Sequence, residues 1–297
     1  MRRYEKFVIE AEKGINVEIS EGTSGELIIR AQKIAINDNY ITPPIPEGYK
    51  YVCGQWNNGF VIERGSDKSQ FVWIPVESLE ANGTIDGEHF SEKFGRRNYM
   101  DDVFSDDEFN EVLSDELLEQ LESVKKYGGF YISRYNISKS FSREPRSVEG
   151  YIPWVNVNFD DAKKIASDIE DNDEVKSHLI FGAEYDSVLE WFIETKARTL
   201  DEIAKDSTGW GNYYTVDSPR KVFKTGSKKK WCTNNICDFA GNLDEWTQEQ
   251  YKSSYHVVRG GNYSDMECAL PVAFRDYGNN PDDNYDETGF RVALCIK

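Results

Sequence analysis

The sequence predicts an α+β fold that is irregular and rich in loops, with short antiparallel sheets, two or three helices and a small β-rich appendage at the N-terminus. Two observations predict it. Short apolar runs are separated by Gly, Asn and Asp residues, a pattern typical of hairpins and meanders. Apolar residues at helical spacing occur in only a few segments. Hydrophobic residues make up 39% of the 297-residue chain, which is enough for a substantial core.

The N-terminal appendage is predicted at residues 1–40. Three short β-type runs, at 7–11, 16–19 and 26–31, are separated by segments that contain glycine. Because three such strands are marginally stable alone, we expect them to pack on the main domain or on other copies of the chain, which would form a homo-oligomer. Residues 41–50 contain three prolines and predict a stiff connector.

The main domain is predicted at residues 51–297. Residues 71–76 are nearly all apolar, which indicates a central strand buried on both faces. An acidic helical insertion is predicted at about 82–126, with an apolar stripe of Leu113, Leu117, Leu121 and Val124. Two further helices are predicted from apolar faces formed by Ala162, Ile165, Ala166 and Ile169, and by Tyr185, Val188, Leu189 and Phe192. Asn158 or Asp160 is placed to cap the first of these two.

The formal net charge is -18, and ten acidic residues with no Lys or Arg lie between Asp101 and Glu122. Such a surface repels phosphate backbones, so nucleic acid is not an expected partner. The acidic run is interpreted as a solvated helical segment in preference to a docking face. Neither an 18-residue apolar stretch nor a conventional signal peptide is found, so we expect no membrane insertion and a cytoplasmic or virion-associated protein.

Five cysteines occur, Cys53, Cys232, Cys237, Cys268 and Cys295. Their number is odd, and their spacings fit neither a zinc site nor a redox motif. The sequence therefore predicts free thiols in a reducing compartment.

Three motifs near the C-terminus carry most of the functional information: Cys237–Thr247 (CDFAGNLDEWT), Arg259–Tyr263 (RGGNY) and Gly289–Leu294 (GFRVAL). The first places four oxygen-bearing side chains around Gly241, an arrangement that suits a hard cation such as calcium. Residue chemistry alone favours the alternative, a solvated or capping acidic turn, because the spacing is not that of an EF-hand loop.

Taken together and in this order, the three motifs resemble the formylglycine-generating enzyme family, also called the sulfatase-modifying-factor family, which has a C-type-lectin-like fold. Members show a G-N-x-x-E-W turn, an R-G-G-S/N-W/Y strand and a terminal G-F-R strand. Looser matches lie at 129–135, 153–162 and 179–185, the last departing from the family pattern at Ile180, Phe181 and Gly182. The resemblance covers about residues 70–297 and implies this fold for the main domain.

The resemblance also implies a structural calcium ion. Asp238 and Glu245 would supply side-chain ligands, and backbone carbonyls would come from Ala240 or Gly241 and from Leu243. Asp238 stands where the family often has Asn, a change that would strengthen a calcium site. The ion would hold the loop in place and take no part in a reaction.

The enzymes of the family use a cysteine pair after the R-G-G strand to bind copper, and those positions fall on Asp265 and Leu270. Neither side chain forms a thiolate, so copper is not expected, and Cys268 between them is a weak catalytic candidate. Related iron-dependent sulfoxide synthases bind their metal through histidines. Here only His89, His178 and His256 occur, at no metal-ligand spacing, and they are interpreted as satisfied or solvent-facing side chains.

Residues 276–287, DYGNNPDDNYDE, have a composition that suits polar recognition loops with aromatic contacts. The same fold also serves non-catalytic binders, including phage receptor-binding proteins and the targets of diversity-generating retroelements. The leading hypothesis is a pseudoenzyme of a phage or prophage that binds a protein or glycan through Asn262, Asp265, Tyr277, Asn279, Asn280, Asn284 and Tyr285.

Three alternatives remain open. The chain could be a formylglycine-generating oxidase or another metal-dependent enzyme of the family that works with Cys268. It could have a purely structural role in a multi-subunit particle, assembled through the N-terminal strands. The segment 276–287 could equally be an ordinary long surface loop.

Overall fold

A computed structural model of the chain describes residues 43–76, 94–100, 103, 105, 108–140, 142–216, 219–252, 255–266 and 270–297, and the backbone of two strands at 17–21 and 27–31. The chain divides into two compact units, Met1–Ile41 with Asn82–Thr84, and Thr42–Ala81 with Ile85–Lys297. In the first unit, β1 (Val17–Glu21) and β2 (Leu27–Ala31) pair antiparallel. The predicted run at 7–11 lies outside the described residues.

The second unit is built on a six-stranded sheet in which every neighbouring pair is antiparallel. In spatial order its strands are β10 (Val175–Leu179), β16 (Val292–Ile296), β7 (Gly129–Ser133), β5 (Gln70–Pro75), β4 (Val61–Arg64) and β3 (Tyr49–Cys53). Strand β5 lies inside the sheet with residues 71–74 buried, so the prediction of a central strand from this apolar run is confirmed.

A smaller sheet carries the C-terminal motifs. Its strands are β14 (Tyr255–Arg259), β13 (Asp244–Tyr251), β15 (Thr288–Phe290), which is parallel to β13, and β6 (Phe109–Glu111), which also pairs with β13. Because β6 lies inside the predicted acidic insertion, that segment contributes to the body of the domain. Two short hairpins complete the strands, β8 (Ser138–Lys139) with β9 (Pro145–Arg146), and β11 (Cys232–Thr233) with β12 (Ile236–Cys237).

The described residues contain four α-helices, α1 (Asp115–Tyr127), α2 (Phe159–Ser167), α3 (Gly182–Glu194) and α4 (Leu200–Ala204). Helix α2 is capped by Asn158, whose Oδ1 accepts a hydrogen bond from the Asp161 backbone N–H. Helix α1 begins after its cap Ser114, so Leu113 precedes the helix and is 65% exposed. The prediction that Leu113 belongs to the buried stripe was therefore wrong. None of the described helices is long and apolar enough to cross a membrane.

Two hydrophobic clusters cover the faces of the large sheet. Alternate residues of β5 point to opposite sides, because side chains alternate along a strand. Val72 and Ile74 pack with α3, and Phe71 and Trp73 belong to the cluster that contains Ala162 of α2. The predicted face of α3 is buried, and so are Ala162 and Ala166 of α2, which explains why both helices form where the periodicity places them. Ile169 lies beyond the end of α2 at Ser167, so its predicted place on that helix face was wrong.

The cysteine prediction requires a correction. Cys232 and Cys237 lie directly opposite each other in the β11–β12 hairpin, and their sulfur atoms form a disulfide. The hairpin turn explains the pairing, because Asn234 and Asn235 both adopt positive φ, the backbone of a tight turn that Asn tolerates. Cys53 and Cys295 are free thiols, and Cys268 lies outside the described residues.

Candidate functional site

The predicted calcium turn connects β12 to β13 and is built from residues that tolerate left-handed backbone. Asp238, Gly241 and Asn242 have φ of 58°, 66° and 71°, a region favoured by Gly, Asn and Asp. Asn242 is buried, and its Oδ1 accepts hydrogen bonds from Asn212 Nδ2 (3.0 Å) and the Phe223 backbone N–H (2.8 Å). The turn is therefore an ordered, buried element of the domain.

Asp238 is buried, and only one of its carboxylate oxygens has a partner. Oδ2 accepts a hydrogen bond from the Gly226 backbone N–H at 2.7 Å, while Oδ1 has no partner among the described residues. Burial raises the pKa of this carboxyl to about 6, although the Gly226 hydrogen bond and the Arg291 charge oppose the rise.

Glu245 is fully buried and is similarly half-satisfied. Its Oε1 accepts hydrogen bonds from Arg291 Nε (2.8 Å) and Asn136 Nδ2 (2.6 Å), while Oε2 has no partner among the described residues. Burial raises the pKa of Glu245 to about 7 against the attraction of Arg291, and the neighbouring Asp238 charge contributes to the rise. Arg291 belongs to the terminal G-F-R motif, which explains what that arginine does here.

Asn136 is the residue of this site that sequence reasoning missed. It is fully buried next to β7, and its Oδ1 has no partner among the described residues. We call Asn136, Asp238, Glu245 and Arg291 the cation turn. Three buried oxygens of these residues thus lack a donor among the described residues, an unusual situation because buried polar atoms normally have partners.

This donor set fits calcium, which prefers oxygen ligands from carboxylates, amides and backbone carbonyls. Within the described part of the chain, no group of three or more His, Cys, Asp or Glu side chains could hold a metal ion. The turn itself offers two carboxylates and one amide. Of the predicted carbonyl ligands, Gly241 O accepts a hydrogen bond from the Leu243 N–H (2.9 Å), and the Ala240 and Leu243 carbonyls lie near Gly211 and Gly260.

The positions of the family's copper-binding cysteines have other roles here. Asp265 Oδ2 accepts a hydrogen bond from the Asn262 backbone N–H at 2.8 Å, and burial raises the pKa of Asp265 to about 6. Leu270 is half-buried. The free thiols Cys53 and Cys295 lie on β3 and β16, four strand spacings or roughly 19 Å apart, too far to share a metal ion.

The two described histidines are used inside the fold. His178 Nε2 lies 2.9 Å from Glu184 Oε1 in the buried core. His256 stacks on Phe159 with ring centroids 3.3 Å apart, and burial lowers its pKa to about 4. His89 lies outside the described residues.

The loop after the R-G-G motif is anchored by Asn262. Its side chain is buried, donates from Nδ2 to Asp244 Oδ2 (2.7 Å) and accepts at Oδ1 from the Ser264 N–H (2.7 Å). Asn262 therefore shapes the loop instead of facing solvent. The Asp265 carbonyl accepts a hydrogen bond from the Tyr214 N–H (2.9 Å), which ties the loop to residues 210–216.

The second candidate loop, 276–287, is held at several points. Asn279 Nδ2 donates to Thr288 Oγ1 (3.0 Å), and the Tyr285 hydroxyl accepts from the Asn280 N–H (2.9 Å). In this loop, the Pro281 carbonyl accepts a hydrogen bond from the Phe159 N–H, and the Tyr285 carbonyl accepts one from the Asn156 N–H. Of the predicted ligand residues in this loop, Tyr277, Asn280 and Asn284 are exposed, and Asn279 and Tyr285 are half-buried.

Tyr277 is the outer member of an aromatic cluster that the sequence did not reveal. Its ring stacks on Tyr251, with centroids 3.8 Å apart and an interplanar angle of 18°, and it meets Phe109 edge-on at 5.9 Å. Tyr277 remains 38% exposed. Three segments far apart in sequence thus fix the orientation of the one exposed ring in the loop.

The arginine of the R-G-G motif lies in a different buried cluster. Asp186 bridges two arginines: its Oδ1 lies 2.8 Å from Arg259 NH2, and its Oδ2 lies 2.8 Å from Arg275 NH2. Glu249 bridges the same two arginines: its Oε1 lies 2.9 Å from Arg275 Nε, and its Oε2 lies 3.3 Å from Arg259 NH1. We call these four residues the guanidinium network. All four of its carboxylate oxygens have a cationic partner.

Comparisons with known proteins agree with the motifs. A family model described as "Sulfatase-modifying factor enzyme 1-like domain" matches residues 104–296, more than half of the chain. No curated protein matches. Among solved structures, "Treponema denticola variable protein 1" is similar, with 17% identity, coverage of 57% of this chain and 85% of that chain, and a TM-score of 0.42. The chain belongs to the family of sulfatase-modifying factor enzyme 1-like domains.

Proposed function

We propose that this chain is a non-catalytic binding protein that contacts a protein or glycan through the loops 262–266 and 276–287. The observation that carries the proposal is that both loops are held by hydrogen bonds, buried at Asn262 and nearer the surface at Asn279 and Asn280, while the side chains of Tyr277, Asn280 and Asn284 remain exposed. Such loops lose little conformational entropy on binding, so their contacts contribute more of their energy to affinity.

The chemistry at the family's copper positions supports a binding role. Asp265 and Leu270 supply no thiolate there, and Asp265 is already engaged in shaping the loop that we propose for recognition. The soft copper ion that thiolates bind is bound poorly by a carboxylate and not at all by an aliphatic side chain. The same backbone region thus serves loop architecture in this chain.

We further propose that calcium binds the cation turn. Asp238 Oδ1, Glu245 Oε2 and Asn136 Oδ1 would be side-chain ligands, because each is buried without a donor. Backbone carbonyls of the 240–243 turn would complete the shell. The ion would fix the connection between β12 and β13.

The disulfide favours a location outside a reducing cytosol, since such bonds persist in oxidising surroundings and on virion surfaces. Of the two predicted locations, we propose the virion-associated one. A phage or prophage receptor-binding component would carry its recognition loops in that environment.

The proposal is tested first by the metal content of the purified protein, measured by elemental mass spectrometry before and after incubation with calcium, copper and iron. We expect about one calcium per chain and neither copper nor iron. Stoichiometric copper or iron would contradict the non-catalytic assignment.

The recognition loops are tested by binding to an array of immobilised glycans and cell-surface proteins. The triple variant Y277A/N280A/N284A should lose the signals of the wild-type protein, because these three side chains are exposed. It keeps the anchoring contacts of Asn262 and Asn279 and removes the hydrogen bonds of the Asn280 side chain with Asp282 and Asp283. The matched control D115A/E122A/K125A changes three exposed side chains of α1. Binding that survives in the loop variant would refute the site.

A further inference from the structure

Residues 219–230 form a basic segment that the proposed function does not yet explain. They contain six cations and no carboxylate, Arg220, Lys221, Lys224, Lys228, Lys229 and Lys230, and all six are exposed. The whole chain has 53 acidic and only 35 basic residues. In such an acidic protein we expect surface cations to find carboxylate partners, as Lys176, Lys205 and Lys252 do. No ion pair involves any of the six among the described residues.

Aromatic rings hold several of these cations in place. The Arg220 guanidinium lies 3.8 Å from the ring centroid of Tyr214, and Lys228 Nζ lies 4.2 Å from that of Trp231 and 5.0 Å from that of Phe223. Cation–π contacts of this kind contribute about 0.5–1 kcal/mol each at exposed sites. The segment is therefore an ordered positive surface rather than a freely solvated loop.

The β8–β9 hairpin and the residues after it extend this surface. Thr225 exchanges hydrogen bonds with Tyr151 and donates to the Val148 carbonyl, so the two segments are packed together. Three further cations, Lys139, Arg143 and Arg146, come from this hairpin. Lys139 lies over the ring of Trp154 and Arg146 over that of Tyr151. We call residues 219–230 and these three cations the basic strip.

In the described part of the chain, two carboxylates beside the strip, those of Glu144 and Glu149, contact other groups. The Glu149 side chain lies against Gly226 beside the Tyr135 ring, and Glu144 accepts a hydrogen bond from Ser142. Two buried donors, Trp231 Nε1 and Arg146 Nε, have no acceptor among the described residues. The strip and the adjoining Trp231 thus have buried donors without acceptors, whereas the cation turn has buried oxygens without donors.

We propose that the basic strip binds an acidic glycan, a polysaccharide that carries carboxylate or sulfate groups. This inference rests on the proposed function and specifies its ligand class. Tyr214, which holds Arg220, donates its N–H to the Asp265 carbonyl and pairs with Met266, so the strip adjoins the recognition loop 262–266. One extended ligand can therefore contact both surfaces.

Two features favour a glycan over a nucleic acid. Single-stranded nucleic acids bind by stacking bases on free aromatic faces, but here cations lie over the rings of Tyr214, Phe223 and Trp231. The net charge of -18 also opposes the approach of a densely charged phosphate backbone. A polysaccharide with a charge on only some of its sugars meets less repulsion.

The test is binding of the full chain to immobilised dextran sulfate, polygalacturonate, neutral dextran and a single-stranded oligonucleotide at low and moderate salt. We expect salt-sensitive binding to one or both acidic polysaccharides and none to dextran. The variant K228E/K229E/K230E should weaken this binding roughly tenfold or more, and R220E/K221E/K224E provides a second, independent disruption. The matched control K125E/K126E/K164E changes net charge equally and should retain binding.

Three results would overturn the proposal: equal losses in the control and the strip variants, equal affinity for the oligonucleotide, or unchanged binding in both strip variants. The variant Y277A/N280A/N284A separates this proposal from the proposed function. If it abolishes array binding while the strip variants bind normally, the recognition loops stand and the basic strip is refuted.

Discussion

Two buried carboxylate clusters lie in the C-terminal half of the chain, and they are satisfied in opposite ways. In the guanidinium network, two carboxylates meet two arginines, and each of the four carboxylate oxygens has a cationic partner within 3.3 Å. In the cation turn, Glu245 forms the one ion pair, with Arg291, and three oxygens have no partner among the described residues.

The difference distinguishes carboxylates that are fully paired with arginines from carboxylates that are only partly paired. A buried carboxylate is tolerated when opposite charge and hydrogen bonds replace its lost hydration. The guanidinium network achieves this for both of its carboxylates with its own side chains, and its one unpartnered atom among the described residues is a donor, Arg259 Nε. The cation turn does not: burial raises the pKa values of Asp238 and Glu245, and the Arg291 charge offsets only part of the rise. A bound cation would supply it.

The largest expected loss of stability comes from breaking the guanidinium network. Asp186→Ala leaves Arg259 and Arg275 without one of their two carboxylate partners, and removing one partner of a buried pair typically costs about 3–5 kcal/mol. Urea unfolding should show this loss with and without calcium. Arg96→Gln is the control, because Arg96 also contacts Glu249 but is partly exposed. A loss that calcium reverses would contradict the separation of the two clusters.

Calcium should stabilise the protein in a pH-dependent way. Burial raises the pKa of Asp238 to about 6 and of Glu245 to about 7, so the folded state binds more protons than the unfolded state between about pH 4 and pH 7. Without calcium, these groups should lower the free energy of unfolding as the pH rises through that window. At pH 8, calcium at 100 times its Kd should restore about 2.7 kcal/mol.

At pH 5 the same calcium concentration should stabilise the protein far less, because protons occupy the carboxylates. Thermal melts at both pH values, with calcium and with a chelator, measure the difference. Equal stabilisation at pH 5 and pH 8 would show that calcium acts elsewhere.

Removing the disulfide should lower the free energy of unfolding by a moderate amount. The C232S/C237S variant opens a loop of only a few residues, for which chain entropy predicts a cost of about 2 kcal/mol. Because Asp238 follows Cys237 directly, we also expect weaker calcium binding. Cys53→Ser is the control, since Cys53 is a free thiol on an edge strand. Unchanged unfolding in the double variant would argue against a role for the bond in holding the turn.

The smallest expected effect on stability comes from the recognition surface. Tyr277→Ala removes one stacked and partly exposed ring, so the free energy of unfolding should fall by only about 0.5–1 kcal/mol. Tyr251→Ala, which removes the inner ring of the same stack, should cost more. If Tyr277→Ala unfolds the domain, Tyr277 serves the core and not recognition.

Motif and periodicity predicted the elements whose information is local. Apolar periodicity located α2 and α3, while the calcium site that the family motifs predict at Asp238 and Glu245 stays a prediction. Asn136 could not be predicted, because it reaches Glu245 across 109 residues of sequence and no spacing marks such a contact. The partners of Arg259 were hidden for the same reason, since Asp186 lies 73 residues away.

Two features that were predicted wrongly do carry a local sequence signal. The five-residue spacing of Cys232 and Cys237 fits a hairpin once Asn234-Asn235 is taken as its turn. Ser114 is a good helix cap, and placing the start of α1 after it excludes Leu113 from the buried stripe.

Titration calorimetry of calcium into chelator-treated protein at pH 8 tests the central claim most directly. The wild-type chain should bind one calcium ion saturably, and Asp238→Asn should bind it much more weakly while its Asn side chain still accepts the Gly226 hydrogen bond. Asp206→Asn, at an exposed carboxylate elsewhere, should bind like the wild type. No binding by the wild-type chain, or equal binding by Asp238→Asn, would contradict the account.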